Sequence, residues 1–157
     1  MKALTICQPY PYLILTPQAE LPSGVEQKRV ENRSWSTKYR GPLLIHAGAS
    51  RKWLETFPQI DEEKLTFGAI LGVVDLVDCV SKCVVDPITA KPDYTLMVGV
   101  RYPWLVRHSH ATGPFCWILS NPRRFKDPIL YKGKLGLFEV PDNVLDGAIS
   151  NRFGGDK

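Results

Sequence analysis

The chain has 157 residues, 44% of them hydrophobic and 23% charged, with a formal net charge of +4 and a pI of about 8.9. This length and composition predict one globular domain, residues 1–157, large enough to fold without disulfides or structural metals. Gln8, Pro9 and Pro11 interrupt the N-terminal apolar stretch, which argues against a signal peptide or a membrane span. The small positive charge permits an acidic partner such as nucleic acid without requiring one.

The four cysteines are Cys7, Cys79, Cys83 and Cys116. No pair has the CxxC spacing of a zinc knuckle or a redox motif, and most of them lie in apolar, strand-like runs. We therefore expect free thiols, a reducing and cytoplasmic location, and no bound metal.

The first half of the chain predicts strands with one short helix. Residues 2–7 read as a strand, and residues 8–15 read as a short helix because proline suits a first helical turn. A loop rich in Pro, Gly and Ser follows at 16–24. Two further strands are predicted at 28–35 and 40–49.

The second half opens with Trp53, Leu54 and Phe57 at helical spacing, which predicts a helix over 50–57 capped by Ser50. The apolar, β-branched run at 67–80 predicts the longest strand. Residues 83–114 predict a long functional loop with one helical turn at most. The remaining predicted elements are a strand over 115–125 ending in an Asn121–Pro122 turn, a strand over 132–141, a weak helix over 142–149 and a frayed tail from about residue 150.

This pattern of many short strands, few helices and no regular βα alternation favours a mainly β fold with some α (α+β). The predicted architecture is a small β-barrel with a short N-terminal helix and one or two further helices packed on it. No repeat or low-complexity run divides the chain.

Several segments, taken in order, resemble the ASCH domain family of PUA-like barrels. The segment GVEQKRVENR matches the Lys, Glu and Arg of the family's Gly-x-Lys-x-x-Glu-x-Arg motif at Lys28, Glu31 and Arg33. Gly24 lies four residues before Lys28 instead of two, which indicates a small insertion. ICQPY is similar to the family's Gln-Pro-Trp, with Tyr10 in the Trp position. YRGPLLIHAG, FGAILGVVDLVDC, FCWILSNPRRF and GKLGLFEVP extend the resemblance from about residue 2 to residue 141.

The resemblance implies a PUA-like barrel with a cleft beside the first helix, and a role in RNA metabolism or in handling modified nucleosides. Two cations and one carboxylate suit a phosphate or a nucleobase edge, because Arg binds in a bidentate manner and Glu accepts from exocyclic amines. The leading expectation is RNA or nucleoside binding by Lys28, Glu31 and Arg33 in a monomer. The alternative is a charged surface strand whose loose ion pairs contribute about 0–1 kcal/mol.

An enzymatic alternative rests on the same residues. Bacterial 4-N-acetylcytidine amidohydrolases, another ASCH subgroup, have a Thr nucleophile at the position of Glu31, and a carboxylate substitutes poorly for that hydroxyl. Lys28 and Glu31 are nevertheless candidate catalytic residues for general acid–base hydrolysis of a nucleoside derivative or of RNA. If the protein is a ribonuclease, a divalent metal ion could take part in catalysis, whereas the other hypotheses require no cofactor. A protein–protein interaction module is the third reading.

Further binding candidates surround this motif in the sequence. His46 lies in an apolar strand, where a histidine is more often part of the core. Trp117 is as consistent with a core position as with stacking on a base. His108 and His110 lie in the predicted loop without a carboxylate that would favour metal binding. We expect truncation of the motif residues to weaken binding but barely change stability, provided the cleft is solvated. The remaining binding candidates are Gln8, Tyr39 and Arg40.

Overall fold

The computed structural model describes residues 1–81 and 101–146 in full, and the backbone alone of residues 84–85, 92–93 and 147–150. The strands are β1 (Lys2–Ile6), β2 (Val30–Arg33), β3 (Gly41–Ala47), β4 (Ala69–Ser81), β5 (Val84–Val85), β6 (Pro92–Asp93), β7 (Phe115–Leu130) and β8 (Leu137–Glu139). The helices are α1 (Tyr10–Leu15) and α2 (Asp142–Ser150). The predicted mainly β class with short helices is confirmed. The predicted frayed tail beyond α2 lies outside the described residues.

Six strands form one sheet in the order β2-β7-β4-β3-β1-β8, and β5 pairs with β6 in a second, two-stranded sheet. β1 runs parallel to β3 and antiparallel to β8, and β2 runs antiparallel to β7. β3 occupies an interior position in the sheet, and its last five residues are all buried, as expected for a strand covered on both faces.

The chain divides into two compact units. Unit 1 comprises Met1–Gln27, Pro42–Val74 and Asn121–Lys157, and unit 2 comprises Lys28–Gly41 and Asp75–Ser120. β4 and β7 each contribute residues to both units. The prediction of one domain over residues 1–157 stays a prediction.

Buried side chains in the described part of unit 1 form hydrophobic clusters. One includes Ala3, Leu44 and Ile70, and another surrounds Leu13 of α1. α1 buries five of its six residues, and the backbone N–H of Tyr12 donates to Gln8 Oε1 at 3.3 Å. That bond satisfies one of the amide groups that a helix start leaves open. Unit 2 has its own cluster, built from Val30, Leu105, Ala111, Cys116 and Ile118.

Three predicted elements differ from the structure. Residues 50–57 form only a 3-10 turn over Leu54–Thr56, because Pro58 disfavours helical backbone at Phe57, whose φ and ψ are −129° and 67°. β7, with 16 residues, is longer than the 13 residues of β4. The predicted turn at Asn121–Pro122 is absent, since β7 continues through it with Asn121 at φ 48°, a conformation that Asn tolerates better than most residues.

Candidate charged site in unit 2

Lys28, Glu31 and Arg33 form one ion-paired cluster. Lys28 Nζ lies 3.2 Å from Glu31 Oε2, and Arg33 Nε lies 3.2 Å from Glu31 Oε1. Each oxygen of a single carboxylate therefore faces a different cation. The ASCH motif grouped these three residues as one predicted binding site, and the structure brings their side chains together.

The backbone explains how Lys28 joins the other two residues. Glu31 and Arg33 lie two apart on β2, so their side chains project from the same face. Lys28 precedes the start of β2 at Val30, and strand alternation does not govern its direction. The chain therefore enters the strand with the ammonium group of Lys28 beside Glu31.

Burial of this cluster differs from the sequence-based expectation of a solvated site. The side chains of Lys28 and Glu31 are only 4% and 9% exposed, whereas that of Arg33 is 24% exposed. Removing such charges from water costs several kcal/mol per ion, and their mutual attraction repays this only with good geometry. Loose surface ion pairing is therefore the wrong description of Lys28 and Glu31.

A second charged cluster in unit 2 centres on Asp78. Arg40 Nη2 lies 3.0 Å from Asp78 Oδ1, Arg101 Nη1 lies 3.2 Å from Oδ2, and Tyr102 Oη donates to Oδ2 at 2.8 Å. The backbone N–H of Cys79 also donates to Oδ1 at 2.8 Å. Two arginines thus pair with Asp78, and Arg101 was not among the predicted site residues.

These contacts set the protonation of Asp78 and Tyr102. Burial acts to raise the pKa of Asp78, but the hydrogen bonds from Tyr102 and Cys79 and the charge of Arg101 outweigh it and lower the pKa. Burial and the neighbouring Asp78 carboxylate raise the pKa of Tyr102. Asp78 therefore stays ionised and Tyr102 stays a hydrogen-bond donor.

Asp78→Asn is expected to lower the free energy of unfolding by about 1–3 kcal/mol at neutral pH, because it weakens charge-assisted hydrogen bonds. The native pKa of Asp78 lies below its ordinary value of 3.8. Its contribution is therefore fully present above pH 3.8 and is lost as pH falls through the native pKa. Urea midpoints of wild type and variant should converge in that acidic range. Asp127→Asn, an exposed control, should leave the midpoint unchanged, and a constant gap down to the acid limit would contradict the assignment.

Comparison with known proteins places this arrangement in a known fold. An ASCH protein from Zymomonas mobilis, ZmASCH, solved as a point mutant, superposes with a TM-score of 0.51 over 95% of this chain and 96% of its own. The chain has the ASCH fold. Sequence identity to that protein is 12%, so the likeness concerns the fold, and it confirms the ASCH resemblance inferred from the motifs.

Sequence comparison gives two curated relatives. Activating signal cointegrator 1 from Homo sapiens is 27% identical over 134 residues, and the Mus musculus protein of the same name is 26% identical over 134 residues. Each match covers 77% of this chain, which spans about a fifth of the length of these relatives. No protein-family model matches the chain.

The other residues predicted from the ASCH resemblance divide between the units. Tyr39 and Arg40 lie in unit 2, where Arg40 Nη1 also donates to Tyr39 O at 2.8 Å. Gln8 and His46 lie in unit 1 and are buried, at 0% and 2% exposure. Gln8 donates from Nε2 to Thr66 O at 2.7 Å, and His46 Nε2 lies 2.8 Å from Tyr131 O. The core position anticipated for His46 is the one observed.

Trp117 is in unit 2 but is a core residue, with 0% exposure. Its ring meets that of Trp35 edge to face at 4.7 Å, and its Nε1 donates to Trp35 O at 3.3 Å. No face of the buried ring is open to a base, so the structure contradicts base stacking by Trp117.

The segment around His108 and His110 is irregular, as predicted, with one 3-10 turn over Pro103–Val106, and it is packed against β2. Both histidines are buried, and the backbone N–H of Arg29 donates to His108 Nε2 at 3.1 Å. Asn32, between two motif residues, donates from Nδ2 to His110 O at 2.7 Å and accepts from Thr112 N at 2.9 Å. Sequence reasoning missed Asn32, although Asn within a charged strand could have indicated backbone contacts. Residues 83–100 of the predicted loop lie largely outside the described part of the chain.

The described residues include three of the four cysteines and most of the potential metal ligands. Cys7, Cys79 and Cys116 are free thiols as predicted, and Cys83 lies outside the described ranges. No group of three or more His, Cys, Asp or Glu side chains in the described part could hold a metal ion. None of the described helices is long and apolar enough to cross a membrane.

Net charge is distributed unevenly between the two units of this ASCH fold. Unit 2 contains nine Lys and Arg residues against five Asp and Glu, whereas unit 1 contains eleven of each. The formal net charge of +4 therefore belongs to unit 2, which also contains both charged clusters. The net charge of the whole sequence does not reveal this uneven distribution. The boundaries between the two units lie inside β4 and β7 and are known only from the structure.

Proposed function

We propose that unit 2 binds RNA or a modified nucleoside, with Lys28, Glu31 and Arg33 as the central contacts. The observation that carries this proposal is the burial of a cluster with two cations and one carboxylate. A hydrophobic replacement of a buried ion pair is often as stable or more stable. Stability alone is therefore a weak reason for Lys28 and Glu31 to occupy these positions.

The chemistry of the cluster suits an anionic, hydrogen-bonding ligand. Two positive charges on one carboxylate leave a formal charge of +1, which attracts a phosphate group. Arg33 retains 24% side-chain exposure and can approach a ligand through its planar guanidinium group. Glu31 can accept from an exocyclic amine if it exchanges one of its cation contacts for the ligand.

Neighbouring groups in unit 2 support the same ligand class. Arg40 and Arg101 are 40% and 73% exposed, and both contact Asp78. The guanidinium carbon of Arg29 lies 4.3 Å from the ring centroid of Trp104, which is half-buried. Proteins that bind single-stranded nucleic acid commonly combine two components: exposed cations that contact the phosphate backbone, and an accessible aromatic ring on which a base stacks. The resemblance to ASCH proteins, for which RNA metabolism is the implied role, agrees with this assignment.

A general acid–base hydrolase is the second candidate, favoured by the 3.2 Å contact between Lys28 Nζ and Glu31 Oε2. A buried amine–carboxylate pair can exchange a proton with a bound substrate. Incubation with 4-N-acetylcytidine and with RNA, followed by chromatography of the products, tests this candidate. Product formation that Glu31→Gln abolishes, under conditions where circular dichroism shows this variant to be folded, would favour the enzyme over the binding protein. We also propose the cytoplasm as the location, on the basis of the free thiols.

The binding proposal predicts salt-dependent affinity for a short single-stranded RNA, measured by fluorescence anisotropy. Contacts with about two to four phosphates should give a slope of about −1.4 to −2.8 in log affinity against log salt. Arg33→Gln should reduce the magnitude of the slope by about 0.7, because it removes one phosphate contact. Lys126→Gln, which removes an exposed cation from unit 1, should leave the slope unchanged. Affinity independent of salt, or equal effects of both substitutions, would refute the proposal.

A further inference from the structure

We propose a second binding site, for a phosphoryl oxyanion, in a small cavity of unit 1. This site is independent of the function proposed for unit 2. The cavity lies beside α1 and has a volume of about 10 Å³. That volume admits roughly one water-sized group. Nine residues line the cavity, among them Gln8, Thr16, Lys64, Thr66 and Arg124.

Thr16 supplies a hydroxyl group that the fold does not use. The residue is 2% exposed, and its Oγ1 is buried with no hydrogen-bond partner among the described residues. Its backbone N–H is already bonded to Tyr12 O at 2.9 Å. Most buried hydroxyl groups in native proteins have a hydrogen-bond partner, and leaving one without a partner destabilises the folded state. Oγ1 itself is closed to a water-sized group, so a ligand oxygen in the cavity would provide this partner through a small rotation of the Thr16 side chain.

The charges around the cavity select an anion. Lys64 and Arg124 are exposed, and within the described residues neither forms an ion pair, whereas nearby Arg51 is paired with Glu62 at 2.7 Å. None of the nine lining residues is acidic. The buried amide of Gln8 already forms hydrogen bonds with Thr66 and Tyr12. The positive charges of Lys64 and Arg124 and the hydroxyl group of Thr16 are therefore the groups available to a ligand.

The backbone fixes Arg124 close to the cavity. A Cβ placed on Gly72 would lie 3.0 Å from Arg124 Cα and 3.0 Å from Leu15 Cδ2. The absence of a side chain at Gly72, on β4, therefore lets both β7 and Leu15 of α1 approach β4 closely. One phosphoryl oxygen fits the cavity near Thr16, and the remaining oxygens would stay at the mouth with Lys64 and Arg124. A nucleobase is too large for this volume.

Calorimetric titration with inorganic phosphate, at constant ionic strength maintained with chloride, tests the site. Thr16→Val and Arg124→Gln should each weaken phosphate binding about tenfold, which is the loss expected for one charge-assisted hydrogen bond. Lys126→Gln, on the same strand as Arg124 but outside the cavity, should bind phosphate like wild type. Without phosphate, Thr16→Val should keep or raise the urea midpoint, because it removes the unpartnered hydroxyl.

The outcomes separate the source of the phosphoryl group from failure of the site. Competition by an RNA dinucleotide that has no terminal phosphate would assign the phosphodiester backbone as ligand. Phosphate binding without such competition would assign a free phosphate or a phosphate monoester. The proposal is overturned if wild type binds no phosphate at millimolar concentration, or if Thr16→Val or Arg124→Gln binds it as wild type does. Neither result bears on Arg33 or on the RNA affinity of unit 2.

Discussion

Replacing Gly72 by alanine is expected to lower the free energy of unfolding by about 1–3 kcal/mol or more. A Cβ at this position would lie 2.4 Å from the backbone oxygen of Arg123 and 3.0 Å from Leu15 Cδ2. The first neighbour is backbone and cannot rotate away, so relief of the clash requires displacement of a strand. Urea denaturation should show a lower midpoint with an unchanged slope, because unfolding exposes the same surface.

Gly24→Ala is a matched control for the loss of glycine flexibility. Gly24 has φ +78°, and a Cβ there would meet nothing within 4 Å. Alanine should therefore cost only the local strain of a left-handed residue, about 1–2 kcal/mol. Gly72 has ordinary φ, so its cost is steric. Equal and small effects at the two positions would show that β4 and β7 adjust without penalty.

Local sequence patterns predicted the elements whose form depends on their own residues. The apolar run of β3 and the β-branched run of β4 were found because buried strands need such side chains. α1 was found because Pro11 is compatible with a first helical turn. The ends of these elements were less accurate, as for residues 67–80 against the observed Ala69–Ser81, since pairing partners determine where a strand stops.

Elements that depend on distant contacts were predicted less well. The backbone of Asn121 allows β7 to continue where an Asn-Pro pair usually indicates a turn. The helical spacing of Trp53 and Phe57 reflects packing instead: both rings contact Tyr10, at 6.3 Å and 5.8 Å between centroids. A periodic apolar pattern records which side chains face a core, but not the backbone that presents them.

The sequence predicted which residues form the charged site of unit 2, but not that their side chains are buried. The ASCH motif was sufficient to group Lys28, Glu31 and Arg33, whereas strand alternation by itself would have directed Lys28 away from the other two. Their near-complete enclosure depends on packing within unit 2, which no local pattern encodes. Arg101 was missed because it meets Asp78 from 23 positions further along the chain. Thr16 was missed because an unpartnered hydroxyl is visible only after all possible partners have been placed.

Burial of the motif changes the expected result of mutating Glu31. Because the side chains of Glu31 and Lys28 are only 9% and 4% exposed, Glu31→Gln should lower the free energy of unfolding by about 3–5 kcal/mol. That is the cost of leaving a buried ammonium without its carboxylate. Urea denaturation measures it. Glu139→Gln is the matched control, since this glutamate forms ion pairs at the surface with 62% side-chain exposure and should leave the midpoint nearly unchanged.

A double substitution separates stability from function. Lys28→Met with Glu31→Met replaces the buried pair by apolar side chains, which is often neutral or stabilising. The double variant should therefore recover much of the stability that Glu31→Gln loses. If the cluster binds RNA or a nucleoside, the same folded variant should lose about 2–5 kcal/mol of binding free energy, because contacts to a buried charged group are removed. Recovered stability together with wild-type affinity would instead make the cluster a structural ion pair, and the ligand site of unit 2 would have to lie elsewhere, with Arg40 and Arg101 around Asp78 as the next residues to substitute.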